Sequence, residues 1–411
     1  LRLADWAVRL LFAASVLAAL LILTRSVLVV ALAGKHTRRC VNSLGALGTS
    51  DPAYPTLPAA SVVVPAFNET VGIEVALRSL ADSDYPDFEI IVVDDGSTDE
   101  TAEVGARLHL APVRLLCQPN MGKAAALNTG IAHARHDLIV MVDADTVFEP
   151  TTLRKLLQAF RDPAVGAVSG NAKVGNRGSL LGRWQHIEYV SGFNLDRRAY
   201  DVLRCMPTVP GAVGAFRRRA LEDVGGVSGD TLAEDTDLTM AVLRAGWHAV
   251  YVEDARAWTE APSTLRGLWR QRYRWGYGTL QAMWKHRQAL REAGNLGRVA
   301  LPYLLLFQVL LPLLAPVVDV LAVYGLAFAD PAPIIGYWAG FNALQTALTW
   351  YAFRLDRESP RVLWAAFLAQ FAYRQLLYLV AIASVNAAAA GARLQWQKLE
   401  RKGDIAVPTS P

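Results

Sequence analysis

Hydrophobic and polar positions divide the chain into three stretches: an apolar run near the start, a middle in which short β-branched runs alternate with helical spacing, and a second apolar stretch toward the end. Trp6 to Ala33 is apolar apart from Arg9 and Arg25, and it exceeds the ~20 residues needed to span a bilayer. Its length and the lack of a small-residue cleavage site favour a span over a signal peptide. The chain opens on Leu1 rather than Met, as expected of a processed or shortened N-terminus. Lys35, His36, Arg38 and Arg39 follow the run and place what comes next in the cytosol. From Asn42 to Ala60 the composition shifts to Gly, Ser, Thr and Pro, with Pro52, Pro55 and Pro58 marking a linker.

Ser61 to Pro65 reads as a buried strand and Glu69 to Ser79 as a helix. A second unit follows, with a strand over Phe88 to Val93 and a helix over Thr98 to Leu108 capped by Thr98 or Asp99. Val113 to Cys117 is a third strand, Lys123 to Ala134 a third helix and Leu138 to Val142 a fourth strand. This alternation predicts an α/β domain with a mostly parallel, Rossmann-like sheet covered by helices on both faces. Ligands bind at the carboxyl ends of such strands.

After Glu292 the apolar stretches Val299 to Ala329, Ile334 to Phe353 and Val362 to Ala390 are each long enough to span, and Pro302, Pro312 and Pro316 can break the first. Arg354, Arg357 and Arg361 place their loop in the cytosol, and Lys398, Arg401 and Lys402 place the C-terminus there too. One span cannot join two cytosolic ends, so either the last segment is re-entrant or the C-terminal charges are outvoted. The expected division is a membrane helix with its basic flank over 1–40, a linker over 41–60, the α/β domain over 61–262, interfacial helices over 263–298, membrane helices over 299–395 and a polar tail over 396–411.

Composition sharpens this picture. Mean hydropathy is +0.23, and 53% hydrophobic against 19% charged residues is too apolar for an ordinary soluble enzyme. The net charge of +4 comes with Lys and Arg beside the apolar stretches, which suits contact with membrane lipid; no nucleic-acid signature is present. Cys40, Cys117 and Cys205 fit no metal-ligand or redox spacing and read as small packing residues.

Candidate chemistry clusters in the middle stretch. Asp143-Ala144-Asp145 follows the fourth strand and offers oxygen ligands to a hard divalent cation bridging diphosphate oxygens. Alone it is as often a solvated turn. Asp94-Asp95 ends a neighbouring strand in the same way, a convergence that two unrelated turns do not predict. Asn120-Met121-Gly122-Lys123 opens a helix and suits an anionic diphosphate, although by itself it is also an ordinary helix cap with a solvated lysine. Leu232-Ala233-Glu234-Asp235-Thr236-Asp237 precedes an apparent helix over Leu238 to Ala245. It supplies either a general base or acids that favour a helix start, and both roles can coexist. Gln271-Arg272-Tyr273-Arg274-Trp275, beside Trp269 and Trp284, pairs a diphosphate-binding cation with an indole that stacks on sugar, or forms an aromatic, basic helix at the membrane surface.

In this order the motifs resemble the processive family two glycosyltransferases, which include cellulose, chitin, hyaluronan and poly-N-acetylglucosamine synthases. The matching stretches, between about Ser61 and Trp284, are Val64 to Glu69, Asp94 to Ser97, Asn120 to Asn128, Asp143 to Asp145, Pro210 to Phe216, Glu234-Asp235 and Gln271 to Trp275. The resemblance implies a GT-A fold in the cytosol flanked by transmembrane helices, a UDP-sugar donor, Mg2+ or Mn2+, inversion, and export of a growing polysaccharide through the cell membrane. Carried over, Asp95 and Asp94 hold the uridine, Lys123 lies by the diphosphate, Asp143 binds diphosphate and metal, and Asp145 binds metal. Asp235 is the base with Glu234 beside it, Gly211 to Gly214 lie near the acceptor, and Gln271, Arg272, Arg274 and Trp275 line the acceptor and diphosphate pocket.

Ala233 stands where the family usually has Thr, and no cyclic-nucleotide-binding domain follows the membrane region, which argues against a bacterial cellulose synthase. Pro210 to Arg218, Tyr373 to Leu376 and Trp396 to Arg401 look most like poly-β-1,6-N-acetylglucosamine synthases, with a small membrane accessory subunit or a fused or partner deacetylase as implied company. Family members usually have a further N-terminal span. The competing readings are a chitin, chitooligosaccharide or hyaluronan synthase, a transferase adding one sugar to lipid, and an inactive glycan-binding scaffold.

Overall fold

A computed structural model describes residues 2–46, 57–328, 330–391, 403 and 405. Pro52 and Pro55 of the expected linker, and Trp396 to Lys402 of the expected tail with its basic charges, lie outside the described residues.

The middle of the chain forms one eight-stranded sheet from β1 (Ala60–Ala66), β2 (Phe88–Asp95), β3 (Val113–Gln118), β4 (Leu138–Met141), β5 (Thr146–Phe148), β6 (Val165–Val174), β7 (Gly214–Arg217) and β8 (His248–Thr259). The order across the sheet is β3-β2-β1-β4-β7-β6-β8-β5. β3, β2, β1 and β4 pair in parallel, as the alternation of strand and helix predicts. β7 then runs antiparallel to both β4 and β6, and β5 antiparallel to β8, while β6 and β8 are parallel. The sheet is therefore mixed though mostly parallel. Helices cover both faces, so Val62, Val64, Ile90 and Val92 pack on one side and Val63, Ile139 and Met141 on the other.

Helix boundaries depart from the sequence reading where acids lie near a start. The first helix of the domain runs Ile73–Ala81 and the second Thr101–Arg107. Asp99 Oδ1 accepts from the Thr101 amide at 3.0 Å, two residues ahead of the helix it was expected to cap directly. Among the cysteines only Cys205 is buried; Cys117 is exposed and Cys40 partly so, which corrects the reading of all three as packing residues.

Among the described residues, two helices are long and apolar enough to cross a membrane, Ser15–Cys40 and Leu296–Phe328. Pro331–Leu355 has the length but not the apolarity, because Asn342, Gln345 and Thr346 interrupt it, so the expected span over Ile334 to Phe353 is not among them. The last expected span is two helices, Pro360–Ala369 and Tyr373–Ala389, bent by 59°, the geometry of a broken span or a re-entrant loop. Arg25, the charge inside the first apolar run, is bound by Asp196 of the α/β domain at 2.7 Å.

A buried ionic network ties the sheet to the C-terminal helices. Lys173 on β6 donates to Asp356 at 2.6 Å and Arg198 donates to the same carboxylate at 2.5 Å. Burial alone would raise the Asp356 pKa, but Lys173 and then Arg198 hold it well below the usual carboxylate range. Its contribution to stability is thus present at neutral pH and lost only in strong acid. Lys173→Met is expected to destabilise the protein by about 3–5 kcal/mol, because it leaves Asp356 and Glu358 short of a cation in a site sealed from water. Denaturant unfolding would read this directly; a loss under about 1 kcal/mol would mean that solvent reaches the pair.

Candidate active site

The carboxyl ends of β1 and β4 meet the start of the helix Glu234–Arg244, where Asp143, Glu234 and Asp235 line one pocket. At the end of β2, Gly96 has a φ of 72° and lies against the Asn120 backbone, where a Cβ would come within 2.7 Å of the amide nitrogen. Asp95 fixes that approach, accepting from the Met121 amide at 3.0 Å and the Gly122 amide at 2.8 Å. It organises the loop before the helix Lys123–His133. Asp94 is arranged differently: Oδ2 accepts from the Ser97 amide at 3.2 Å, and Oδ1 is buried without a hydrogen-bond partner among the described residues.

Lys123 bridges two carboxylates, 2.7 Å from Asp143 Oδ1 and 2.7 Å from Glu234 Oε1. Burial opposes its charge, but Asp143 and then Glu234 outweigh that and raise its pKa. The Lys123–Asp143 pair crowds position 211: a Cβ on Gly211 would lie 2.9 Å from Lys123 Nζ and 3.3 Å from Asp143 Oδ1. A side chain there would have to displace the Lys123 ammonium from Asp143. Asp145 lies just beyond on the turn between β4 and β5, and is buried.

The three acids of the Leu232–Asp237 motif separate. The helix begins at Glu234, not Leu238, so Glu234, Asp235 and Asp237 all occupy its first turn, where the macrodipole favours them. Asp237 is consumed by His286 at 2.7 Å and Lys285 at 2.8 Å. Glu234 is held ionised: burial would raise its pKa, but Lys123 and then Arg274 lower it. Asp235 stays in the pocket with Lys123, Asp143 and Gly211, accepting from the Thr236 amide at 2.7 Å. Burial first, then the neighbouring Glu234 charge, push its carboxyl up to about 6. A carboxyl so tuned is an effective proton acceptor near neutral pH.

The fifth cluster of expected residues divides along its helix, Leu265–Lys285. Arg274 lies near enough to Glu234 to lower its pKa. Arg272 points away and is buried, held by Glu188 at 2.5 Å and stacked on the Trp275 ring at 4.4 Å. Gln271 accepts from Arg272 rather than opening to solvent. Trp275 packs against the core and meets Phe193 edge-on. Glu188 lies outside every sequence motif. It accepts from both Arg272 and, at 2.5 Å, the Tyr373 hydroxyl, and so joins this helix to the start of Tyr373–Ala389. No local pattern marks it, since its partners are distant in sequence.

The profile of the glycosyltransferase-like family 2 matches residues 58–278, more than half of the chain. A poly-β-1,6-N-acetyl-D-glucosamine synthase of Staphylococcus aureus is 35% identical over 215 residues, 52% of this chain and 52% of that protein. One from Staphylococcus epidermidis is 33% identical over 221 residues, 53% of this chain and 54% of that protein. The chain thus spans about half the length of the curated relatives it matches. Among solved structures, the mannosyltransferase PcManGT from Pyrobaculum calidifontis, in complex with GDP-Man and Mn2+, aligns with a TM-score of 0.60 at 23% identity, covering 90% of this chain and 99% of that one. That likeness establishes a GT-A fold.

Proposed function

Because the chain belongs to glycosyltransferase-like family 2, we propose that it is a membrane-embedded, inverting enzyme that builds a polymer of N-acetylglucosamine from UDP-N-acetylglucosamine. The observation that carries the reading is Asp235, a carboxyl raised to about 6 and set among Lys123, Asp143 and Gly211. It takes the proton of the acceptor hydroxyl as that oxygen attacks the anomeric carbon and the bond to UDP breaks. Lys123 and Arg274 supply positive charge for the departing diphosphate. Asp94, with its unfilled acceptor oxygen, suits an N–H or hydroxyl of the nucleoside, while Asp95 shapes the loop that closes over it. Glu234 anchors Lys123, and the contacts of Arg272 with Glu188 and Trp275 fix the helix that carries Arg274.

Asp143 and Asp145 would hold Mg2+ or Mn2+. Their oxygen-only donor set, on the turn that follows β4, fits a hard cation. Such an ion stabilises the leaving diphosphate as a Lewis acid. The helices Ser15–Cys40 and Leu296–Phe328 hold the domain at the cytosolic face of the cell membrane, from which the growing chain is exported. The domain limits 61–262 and 263–298 are part of this proposal.

Purified protein in detergent, given labelled UDP-N-acetylglucosamine and Mn2+, is expected to yield polymer digested by a β-1,6-specific glycosidase. Polymer cut only by a chitinase, or formed equally from UDP-glucose, would overturn the assignment. The rate is also expected to fall on acidification through pH about 6, as Asp235 takes up its proton. An acid limb near the ordinary value of 3.8 would mean that another group is the base.

A further inference from the structure

We propose that His36, Cys40 and Glu253 form a second metal site, of the zinc type, which pins the end of the first apolar helix to the catalytic domain. His36 and Cys40 are one helical turn apart, so their side chains share a face. That face meets Glu253 on β8. One ligand atom from each of the three lies within 4.8 Å of the other two. Cys40 Sγ is 3.4 Å from His36 Nε2. Two such ligands on a tetrahedral zinc ion, with Zn–S of ~2.3 Å and Zn–N of ~2.0 Å, stand about 3.5 Å apart.

The surroundings are those of a ligating histidine. His36 Nδ1 is 3.0 Å from Asp201 Oδ2, which leaves Nε2 aimed at the thiol and the carboxylate. A carboxylate behind a histidine fixes its tautomer and orientation for a metal. Asp201 is itself held, accepting from the Tyr251 amide at 2.9 Å. Glu253 is oriented by Arg198, whose Nε donates to Oε2 at 2.7 Å. A thiolate and a carboxylate balance a divalent ion in a site where His36 is only 2% exposed. The thiolate selects a zinc-like ion over Mg2+ or Ca2+, and Cys40, partly exposed, gives the ion access. The oxygen-only pair Asp143 and Asp145 has the opposite preference, so the two sites are chemically separable.

The test uses the whole chain in detergent, stripped with chelator, in a background of Asp143→Asn, Asp145→Asn and Cys117→Ser that removes the other oxygen pair and the exposed thiol. Titration with Co2+ is expected to raise one thiolate-to-cobalt charge-transfer band together with tetrahedral d–d bands, and Zn2+ should displace both. Cys40→Ser should abolish the charge-transfer band, and Asp201→Asn should weaken binding ~10- to 100-fold. Zn2+ should also slow alkylation of Cys40 when the three ligands are intact, a readout that needs no variant at the site. No charge-transfer band, the same band in Cys40→Ser, or alkylation indifferent to Zn2+ would each show that the trio is only a hydrogen-bonded thiol and imidazole.

Discussion

Asp235→Asn is expected to lower turnover ~10²- to 10⁴-fold while making the folded protein more stable at neutral pH. The two effects share one cause. Burial and the Glu234 charge raise the Asp235 carboxyl from 3.8 to about 6, so the folded state holds its proton more tightly than the unfolded chain does. The stability this supplies is complete below about pH 4 and is lost as pH rises through about 6. At neutral pH the ionised carboxylate is a cost on the order of 2–3 kcal/mol. Asparagine removes that cost and still accepts from the Thr236 amide. Asp145→Asn should also stop turnover, through weakened metal and diphosphate binding instead. Calorimetric titration with UDP and Mn2+ separates them: Asp235→Asn is expected to bind UDP as the parent does, and Asp145→Asn far more weakly. Equal loss of UDP binding in the two variants, or a lower melting temperature for Asp235→Asn, would refute the assigned roles.

Three strands of the parallel half, β1, β2 and β4, are legible because each is a compact apolar run buried over most of its length. Ser61 to Pro65 lies within the observed Ala60–Ala66, and Phe88 to Val93 within Phe88–Asp95. β7 was not legible: Gly214–Arg217 is four residues long, too short to show a period, and nothing local tells a strand to run antiparallel. The helix carrying Asp235 was placed to begin four residues late because acids at a helix start read as preceding it, whereas the dipole admits them into its first turn. Arg272 and Arg274 were read as one group although residues two apart on a helix point about 200° away from each other. The structure sends one to Glu188 and brings the other near Glu234. The break in the last apolar segment, between Ala369 and Tyr373, carries neither Pro nor Gly, so composition gave no warning of it.

That break decides the place of Arg374. On an unbroken helix the residue would sit about 12 positions past Val362, roughly 18 Å into the bilayer. Instead it lies in the first turn of Tyr373–Ala389, beside the bend. Its guanidinium pairs with Asp319, and Gln375 reaches the same carboxylate at 3.4 Å. Arg374 Nε and Gln375 Oε1 are buried without hydrogen-bond partners among the described residues, so the cluster has polar capacity that the pair does not fill. The preceding residue, Tyr373, bonds Glu188, which in turn holds Arg272 on the helix that carries Arg274. A charge among membrane helices costs ~2.5–3.5 kcal/mol even on the lenient scale, and one left without its partner costs about 3–5 kcal/mol. Arg374→Leu is therefore expected to lower the melting temperature sharply, and adding Asp319→Leu should restore most of it. Both proteins should bind UDP normally, because the pocket around Lys123 and Asp235 is elsewhere. If the cluster lines the route of the growing glycan, the double variant will be stable and yet make only short chains. Polymer of normal length from that variant would show that Arg374 and Asp319 serve the fold alone.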